Sequence, residues 1–478
     1  MRSLKYVSVL ALHMAVCGHA IAGFVEPPAL AKQVAGGELP AVQARLPDEP
    51  RVLRLEGDRS PGRHGGEMRL LMGKQKDIRM VYVYGYARLV GYNAKLEFVP
   101  DILAALDVED NRIFTLRLRK GHRWSDGHPF TTEDFRYYWE DVANNEELSP
   151  LGPPRLLMVD DKPPQVKIVD ETTIRFSWPK PNPFFLPALA GARPLSIYRP
   201  AHYLKRFHAN YVDADELQRK VEKVQTRNWA GLHTRFGHQY KFDNPDLPVL
   251  QPWMNTTKPP SERYIFKRNP YYHRVDAAGL QLPYIDQLAV NIAANKLIPA
   301  KTGAGESDLQ ARNLRFDNYT FLKAGEQRND YEVRLWRTVS GSRFTLYPNL
   351  NVSDPVWRKV VRDVRFRRAL SLAINRHEIN QIVYYGLANE GNNTVLQESP
   401  LHEPDFQNTW ASFDLERAAA LLDEMGLDKR DERGIRLLPD GRSLEIIVET
   451  AGESTEETDV LELVHDSWLR AGIKLHSR

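Results

Sequence analysis

Between Leu118 and Phe135 the chain reads LRKGHRWSDGHPFTTEDF. Two histidines, a serine beside an aspartate and the Glu133-Asp134 pair fall within this one stretch. Such residue types can act as nucleophile and base, as metal ligands, or as an acid–base pair. Ser125 and His122 are the nucleophile and base candidates. His122 and His128, with His64 upstream, are the metal candidates, but their spacing fits no zinc pattern and a turn separates them. The same letters also decode as scaffold. Ser125-Asp126-Gly127 is turn chemistry, because Asp accepts from nearby backbone N–H groups and Gly can take a positive φ. Thr131 and Asp134 form a capping box ahead of EDFRYYWEDV, in which Phe135, Tyr138 and Trp139 share a face. A strand, a tight turn and a capped helix give each polar residue a structural task, and that is the reading preferred here.

Elsewhere the reactive types are dispersed. There is no glycine-rich phosphate loop followed by Lys-Ser/Thr and no G-x-S-x-G elbow. Arg362, Arg365, Arg367 and Arg368 cluster, and a solvated helix face explains them better than a nucleic-acid surface. No carboxylate pair stands out as a glycosidase pair. Tyr82, Tyr84 and Tyr86 alternate in MVYVYGYARL. They read either as a strand with aromatics on one face or as a cleft wall, since tyrosine offers area and a hydrogen bond together.

Several elements must position these residues. Glu67–Gly73 alternates weakly, and Arg112–Gly121 sets Ile113, Phe114, Leu116 and Leu118 against Thr115, Arg117 and Arg119, a half-buried strand. Thr172–Trp178 is a further strand, stopped by Pro179. Ser261–Arg274 predicts a strand ending at Asn269-Pro270, and LPYIDQLAVNIA a turn and then a strand. Beyond Val339 helix and strand alternate. Asp363 caps a helix with Val364, Leu370, Ala373 and Ile374 on one side. Asn375 and Glu378 box a second helix, and Asp414 and Gly426 bound a third. Asp440-Gly441 turns into SLEIIVET, and VLELVHDSWLRAG is an amphipathic helix closed by Gly472. Residues 23–65, rich in Pro and Gly, read as an extended lead-in, or as strands packed on the body at RVLRLEG.

The 478 residues suggest about three domains or one large domain with insertions. With 42% hydrophobic and 27% charged residues the composition is ordinary globular, and a formal charge of +3 gives no support to a nucleic-acid partner. Arg2 and Lys5, the apolar run Tyr6–Val16 and Ala20-Ile21-Ala22 before Gly23 predict a signal peptide over residues 1–22. A buried N-terminal helix and a lipid anchor through Cys17 are the lesser readings, the latter disfavoured by bulky Val16. Removing the leader removes Cys17, the single cysteine, so no disulfide framework or thiolate site is expected. No later segment has 18 or more apolar residues, so a soluble mature protein is expected.

The block FTLRLRKGHRWSDGHPFTTEDFRYYWEDV resembles the signature of the extracytoplasmic solute-binding proteins of family 5, the peptide- and oligopeptide-binding subunits of ATP-binding-cassette importers. The matching residues are Leu118-Arg119, Lys120-Gly121, Trp124, Ser125-Asp126-Gly127 and Thr131 to Asp134. IVDETTIRFSWPKPNPFF, YIFKRNPYYHRVDAAGLQLPYIDQL, VRDVRFRRALSLAINRHEIN and DLERAAALLDEMG are similar to further family blocks, in the family's order, over residues 66–478. The resemblance implies an α/β, two-lobed periplasmic binding protein fold of the large type II class. In that plan a lead-in occupies 23–65. Lobe one spans 66–91 and 191–337, an extra domain with the signature spans 92–190, and lobe two spans 338–478. Family members continue past GIKL, and the acidic partner for a peptide α-amino group comes after that point. The second lobe is therefore expected to be incomplete, and the chain alone to fold incompletely and bind poorly.

The function so implied is capture of a peptide or similar small solute in the periplasm and its delivery to a membrane permease. The protein is expected to be a monomer without cofactor, metal, nucleic-acid partner or catalytic residue. By position in the family plan, the ligand-binding candidates are Asp77, Arg79 and Tyr82 in the loop Lys74–Tyr86, and Arg343 and Tyr347 near the hinge. The rival class is an exported glycosidase or peptidase acting through a cleft carboxylate pair. A chaperone or haem carrier on the same scaffold is a third reading.

Overall fold

The computed structural model describes residues 23–336, 341–397, 399–450, 452 and 455–478. The expected signal peptide lies outside these residues. Two compact units divide the chain, one ending at Asn313 and the other running Leu314–Arg478.

The first unit holds two four-stranded sheets. In one, the strands follow the order Glu67–Met72, Gln287–Ile292, Arg263–Arg268, Trp253–Asn255. The first two are parallel, in register from Glu67 opposite Gln287 to Met72 opposite Ile292, and the rest are antiparallel. Period-two alternation turns Leu70, Met72, Tyr264, Phe266, Leu288 and Val290 onto one core, which Ile78, Val81, Tyr82 and Phe242 complete. The outer edge of Glu67–Met72 is met by side chains. Asp308 accepts from the Arg69 N–H at 2.7 Å and donates its own N–H to the Arg69 carbonyl at 3.0 Å. The Gln310 carboxamide accepts from the Leu71 N–H at 3.0 Å and donates to the Leu71 carbonyl at 2.9 Å. It thus imitates the peptide group of a neighbouring strand.

The other sheet is antiparallel, in the order Leu103–Glu109, Ile113–Leu118, Thr173–Ser177, Gln165–Ile168. Phe114, Leu116 and Leu118 are buried as the alternation predicts. Thr115 is buried too, because its hydroxyl accepts from Arg175 Nε on the adjacent strand at 3.1 Å. Trp124, Phe135, Trp178 and Phe185 fill the core, with Phe114 edge-on to Trp178 and Phe185.

Three readings from the sequence need correction. Tyr82, Tyr84 and Tyr86 do not lie on a strand: Gln75–Arg79 is a 3-10 turn and Met80–Gly85 an α-helix. Val81, Tyr82 and Gly85 are its buried residues, a helical spacing, so packing overrides the β propensity of VYVY. The lead-in is not extended throughout. It forms short helices at Ala31–Ala35 and Val42–Arg45, then the strand Arg51–Leu53, parallel to Arg274–Asp276. Arg45 anchors it, fully buried, donating to Glu26 at 2.7 Å and to the Pro270 carbonyl at 2.9 Å. In the second unit Val364 is exposed, and Phe366 fills the core position instead.

That unit packs helices Pro355–Arg362, Val364–Leu372, Arg376–Tyr384, Leu415–Glu424 and Thr455–Arg470 with the parallel strands Glu445–Val448 and Lys474–Ser477. The expected caps form. Asp363 accepts from the Arg365 N–H, Asn375 from the Glu378 N–H and Asp414 from the Arg417 N–H. Gly426 and Gly472 end their helices at φ 77° and 84°. The arginine cluster is more tied down than a solvated face. Arg362 donates to the Leu350 carbonyl, Arg365 to Asp363 and Arg367 to the Val361 carbonyl, while Arg368 lies over Trp410. No helix among the described residues is long and apolar enough to cross a membrane.

Candidate functional site

The strand Glu67–Met72 hands the chain to the candidate segment through Gly73. A Cβ there would sit 1.6 Å from Asn295 Oδ1, so a larger residue would have to displace that exposed side chain. The 3-10 turn then buries Asp77. Its Oδ1 accepts from Arg312 Nη2 at 2.9 Å, while Arg79 Nη2 stands off at 4.0 Å. The Arg79 guanidinium lies 5.9 Å from the centroid of the Tyr240 ring, and its Nε is buried without a hydrogen-bond partner. Arg193 lies over the same ring at 5.1 Å. Tyr82 is 4% exposed and meets Tyr240 and Phe242 edge-on, at 5.8 and 6.0 Å. Burial raises the Tyr82 phenol, and the Arg88 guanidinium 4.8 Å from its ring centroid opposes this. Tyr82 is thus a wall that fixes Tyr240. Tyr84, 37% exposed, is the tyrosine of the trio that keeps most contact with solvent at its helix face.

In the second unit Glu456, at 1% exposure, accepts from Arg343 Nε and Nη2 at 3.1 and 2.8 Å. The Tyr384 hydroxyl donates to the same carboxylate at 3.0 Å, and burial together with the Glu456 charge raises that phenol. Phe316 packs against Tyr319, Tyr384 and Tyr385 beside this cluster. Tyr347 is 81% exposed. The five candidates therefore sort into Asp77, Arg79 and Tyr82 in one unit and Arg343 and Tyr347 in the other. Arg312, Arg193, Tyr240 and Glu456 were not singled out by the sequence. Arg312 is 235 residues from Asp77 and Glu456 is 113 from Arg343, so no local pattern announces either pair.

The reactive-looking stretch is scaffold throughout. Trp124–His128 closes a tight turn, with the Gly127 N–H donating to the Trp124 carbonyl and the His128 N–H to Asp126 Oδ1. Gly127 has φ 87°. Ser125 Oγ accepts from the Val249 N–H at 3.0 Å, whereas the buried His122 ring packs on Phe130 and His273. Burial, with His273 and Arg119 nearby, holds His122 well below the usual imidazole range. Asp134 joins three segments, accepting from Trp124 Nε1, the Thr131 N–H and the Ala201 N–H at 3.0, 3.1 and 3.0 Å. Burial pushes its carboxyl up to about 6 despite those bonds. The expected capping box does not form as such. The helix starts at Glu133 with Thr132 at its N-cap, Asp134 accepts from the Thr131 N–H, and the Thr131 hydroxyl accepts from the Glu133 N–H and not from that of Asp134. The histidines of the metal reading have separate partners. His64 meets the Gln281 carbonyl, His128 stacks on His202 at 3.8 Å, and His122 meets His273. No group of three or more His, Cys, Asp or Glu side chains among the described residues could hold a metal. Beside the turn, a cavity of about 290 Å³ is lined by Ser125, Phe242, Leu247, Val249, Met254 and Lys258 among others.

Comparison with known proteins agrees with this fold. The family model for bacterial extracellular solute-binding proteins, family 5 Middle, matches residues 97–478. A periplasmic alpha-galactoside-binding protein of Rhizobium meliloti (strain 1021) is 24% identical over 93% of this chain and 66% of its own length. A probable ABC transporter-binding protein of Deinococcus radiodurans is 25% identical over 77% of this chain and 58% of its own. The chain therefore spans less than two thirds of the length of these curated relatives. Among solved structures, an oligopeptide-binding protein OppA superposes with a TM-score of 0.78 at 34% identity, covering 97% of this chain and 72% of that one. The periplasmic binding protein MelB of Agrobacterium fabrum, in complex with stachyose, gives 0.63 at 22% identity over 96% and 71%. The α/β periplasmic binding-protein fold expected from the sequence is the one observed, and it is a fold of transport-binding proteins. The chain belongs to the bacterial extracellular solute-binding proteins, family 5.

Proposed function

We propose that this chain captures a peptide or similar small solute outside the cytoplasmic membrane and delivers it to the permease of an ABC-type importer. Family membership over residues 97–478 is the observation that carries the reading. The chemistry suits it. A capture protein needs an enclosed surface, main-chain hydrogen bonds and apolar pockets, and no reacting group. A peptide bound through its backbone as an added strand leaves side-chain selectivity loose. The exported-hydrolase reading would need two carboxylates with divergent roles in one cleft. Asp134, the carboxylate raised by burial, is closed off by three donors.

Asp77, Arg79, Tyr82, Arg343 and Tyr347 belong to the proposal as contact candidates, with Arg343 and Tyr347 the more accessible. The periplasmic location after loss of residues 1–22, the monomeric state and the lobe plan with an inserted 92–190 domain belong to it too. A second reading keeps the capture role and replaces the peptide by an oligosaccharide. It is favoured by the alpha-galactoside-binding relative and by the neighbour solved with stachyose.

Native mass spectrometry of the purified protein tests the proposal, followed by calorimetric titration with tri-alanine and with stachyose. Weak but saturable tri-alanine binding without turnover is the expected result. Stachyose binding alone would select the second reading. Turnover of either compound, abolished by one carboxylate substitution, would replace capture by hydrolysis.

A further inference from the structure

The Tyr240 ring carries two cations and no anion. Arg79 and Arg193 lie over it at 5.9 and 5.1 Å. Like charges sharing one ring repel unless a counter-charge lies between or beside them. Among the described residues the Arg193 guanidinium has no ion pair or hydrogen bond. The nearest carboxylate oxygen to Arg79, Asp77 Oδ1, is 4.0 Å away and already accepts from Arg312 at 2.9 Å. Two guanidinium groups, those of Arg79 and Arg312, thus share one carboxylate, and Arg312 holds it. Arg79 Nε, moreover, is a buried donor with no acceptor, which costs free energy. A guanidinium stacked on an aromatic ring keeps its in-plane N–H groups available, and these match the two oxygens of a carboxylate. The ring itself is held. Tyr240 is half-buried and fixed edge-on by Tyr82, which is packed in the sheet core.

We propose that Arg79 and Arg193 over Tyr240 form a carboxylate-binding subsite, so that the captured solute is an acid: a peptide with a free C-terminus or an acidic side chain. This rests on the capture reading above and narrows it, because a neutral oligosaccharide offers these arginines no counter-charge. Arg312 is a positioning residue here. By engaging Asp77 it keeps that carboxylate from neutralising Arg79.

The test uses the full chain with arginine side chains labelled for NMR and acetate as the probe. Saturable shifts of the Arg79 and Arg193 signals are expected, while Arg436, buried and bonded to the Ala471 carbonyl, stays unmoved. Arg193→Gln, at an exposed side chain, should weaken acetate binding about tenfold, as loss of one charge-assisted hydrogen bond implies. Shifts that do not saturate, or that move all arginines alike, would overturn the subsite. Calorimetry with tri-alanine and its C-terminal amide separates this idea from the capture function. Equal affinity for the two, unaltered by Arg193→Gln and by acetate, removes the carboxylate contact and leaves capture standing. Saturable acetate binding without any peptide or sugar binding keeps the subsite and removes capture.

Discussion

Leu118–Phe135 and Gln75–Tyr86 belong to the same unit, and both mix ionisable with aromatic side chains. In the first, Asp134 accepts three hydrogen bonds, Ser125 holds the Val249 N–H and Asp126 closes its own turn. In the second, Arg79 has a buried Nε with no partner and an ion-pair distance too long for a hydrogen bond. Each stretch holds one buried nitrogen without a hydrogen-bond partner, His122 Nδ1 in the first and Arg79 Nε in the second. The difference is charge: burial keeps the imidazole neutral, whereas Arg79 carries a guanidinium cation, so the second stretch is the one that leaves a charge unanswered.

The contrast can be broken by removing groups from the satisfied side. Gly127→Val should have the largest effect. A Cβ there would lie 2.7 Å from the Tyr271 hydroxyl oxygen at φ 87°, and a loss of about 3 kcal/mol is expected. Urea unfolding measures it, and an unchanged midpoint would contradict the scaffold reading. Asp134→Ala strands three buried or half-buried donors and should lower stability by about 2–3 kcal/mol in the same assay.

Acid titration comes next. Burial holds His122 well below the imidazole range and lowers His273, its neighbour at 5.0 Å, to about 4. Both are depressed below their unfolded value, so the unfolded chain takes up protons first. Their contribution is present above about pH 6.5 and is lost as pH falls through it toward about pH 4. Asp134 runs the other way, because its carboxyl is raised to about 6. Its contribution is complete below the ordinary carboxylate pKa and declines as pH rises through about 6. The net expectation is a urea midpoint that falls on acidification, with a shallower slope in His122→Gln. An identical slope in that variant would assign the acid sensitivity elsewhere. The smallest effect belongs to the unsatisfied side, where Arg193→Gln should change stability by no more than about 0.5 kcal/mol. A larger loss would mean that Arg193 is structural.

Elements defined by neighbours in the chain were legible in the sequence. The turn at Asp126-Gly127, the caps Asp363, Asn375 and Asp414, and the alternating strand Ile113–Leu118 each carry a signal within a few residues. Even so, the capping box expected at Thr131 does not form as such. The helix Met80–Gly85 was misread because VYVY alternates, and only its packing against Phe242 and Tyr240 decides its shape. The lead-in was obscured because Arg45 finds its partners at Glu26 and, far along the chain, Pro270. Asp77, Arg79 and Arg343 are contact candidates by position in the family plan alone. Their partners Arg312, Tyr240, Arg193 and Glu456 were not legible, since topology alone brings them near.

The side-chain closure of the strand Glu67–Met72 has a consequence for self-association. An open strand edge is a template on which another copy can add a strand and begin to aggregate. Here the guard is a single carboxamide and a single aspartate, not a strand that pairs residue by residue. Such a guard can be removed by one substitution: Gln310→Leu would expose the Leu71 donor and acceptor together, and the sheet would become sticky without any change in its core.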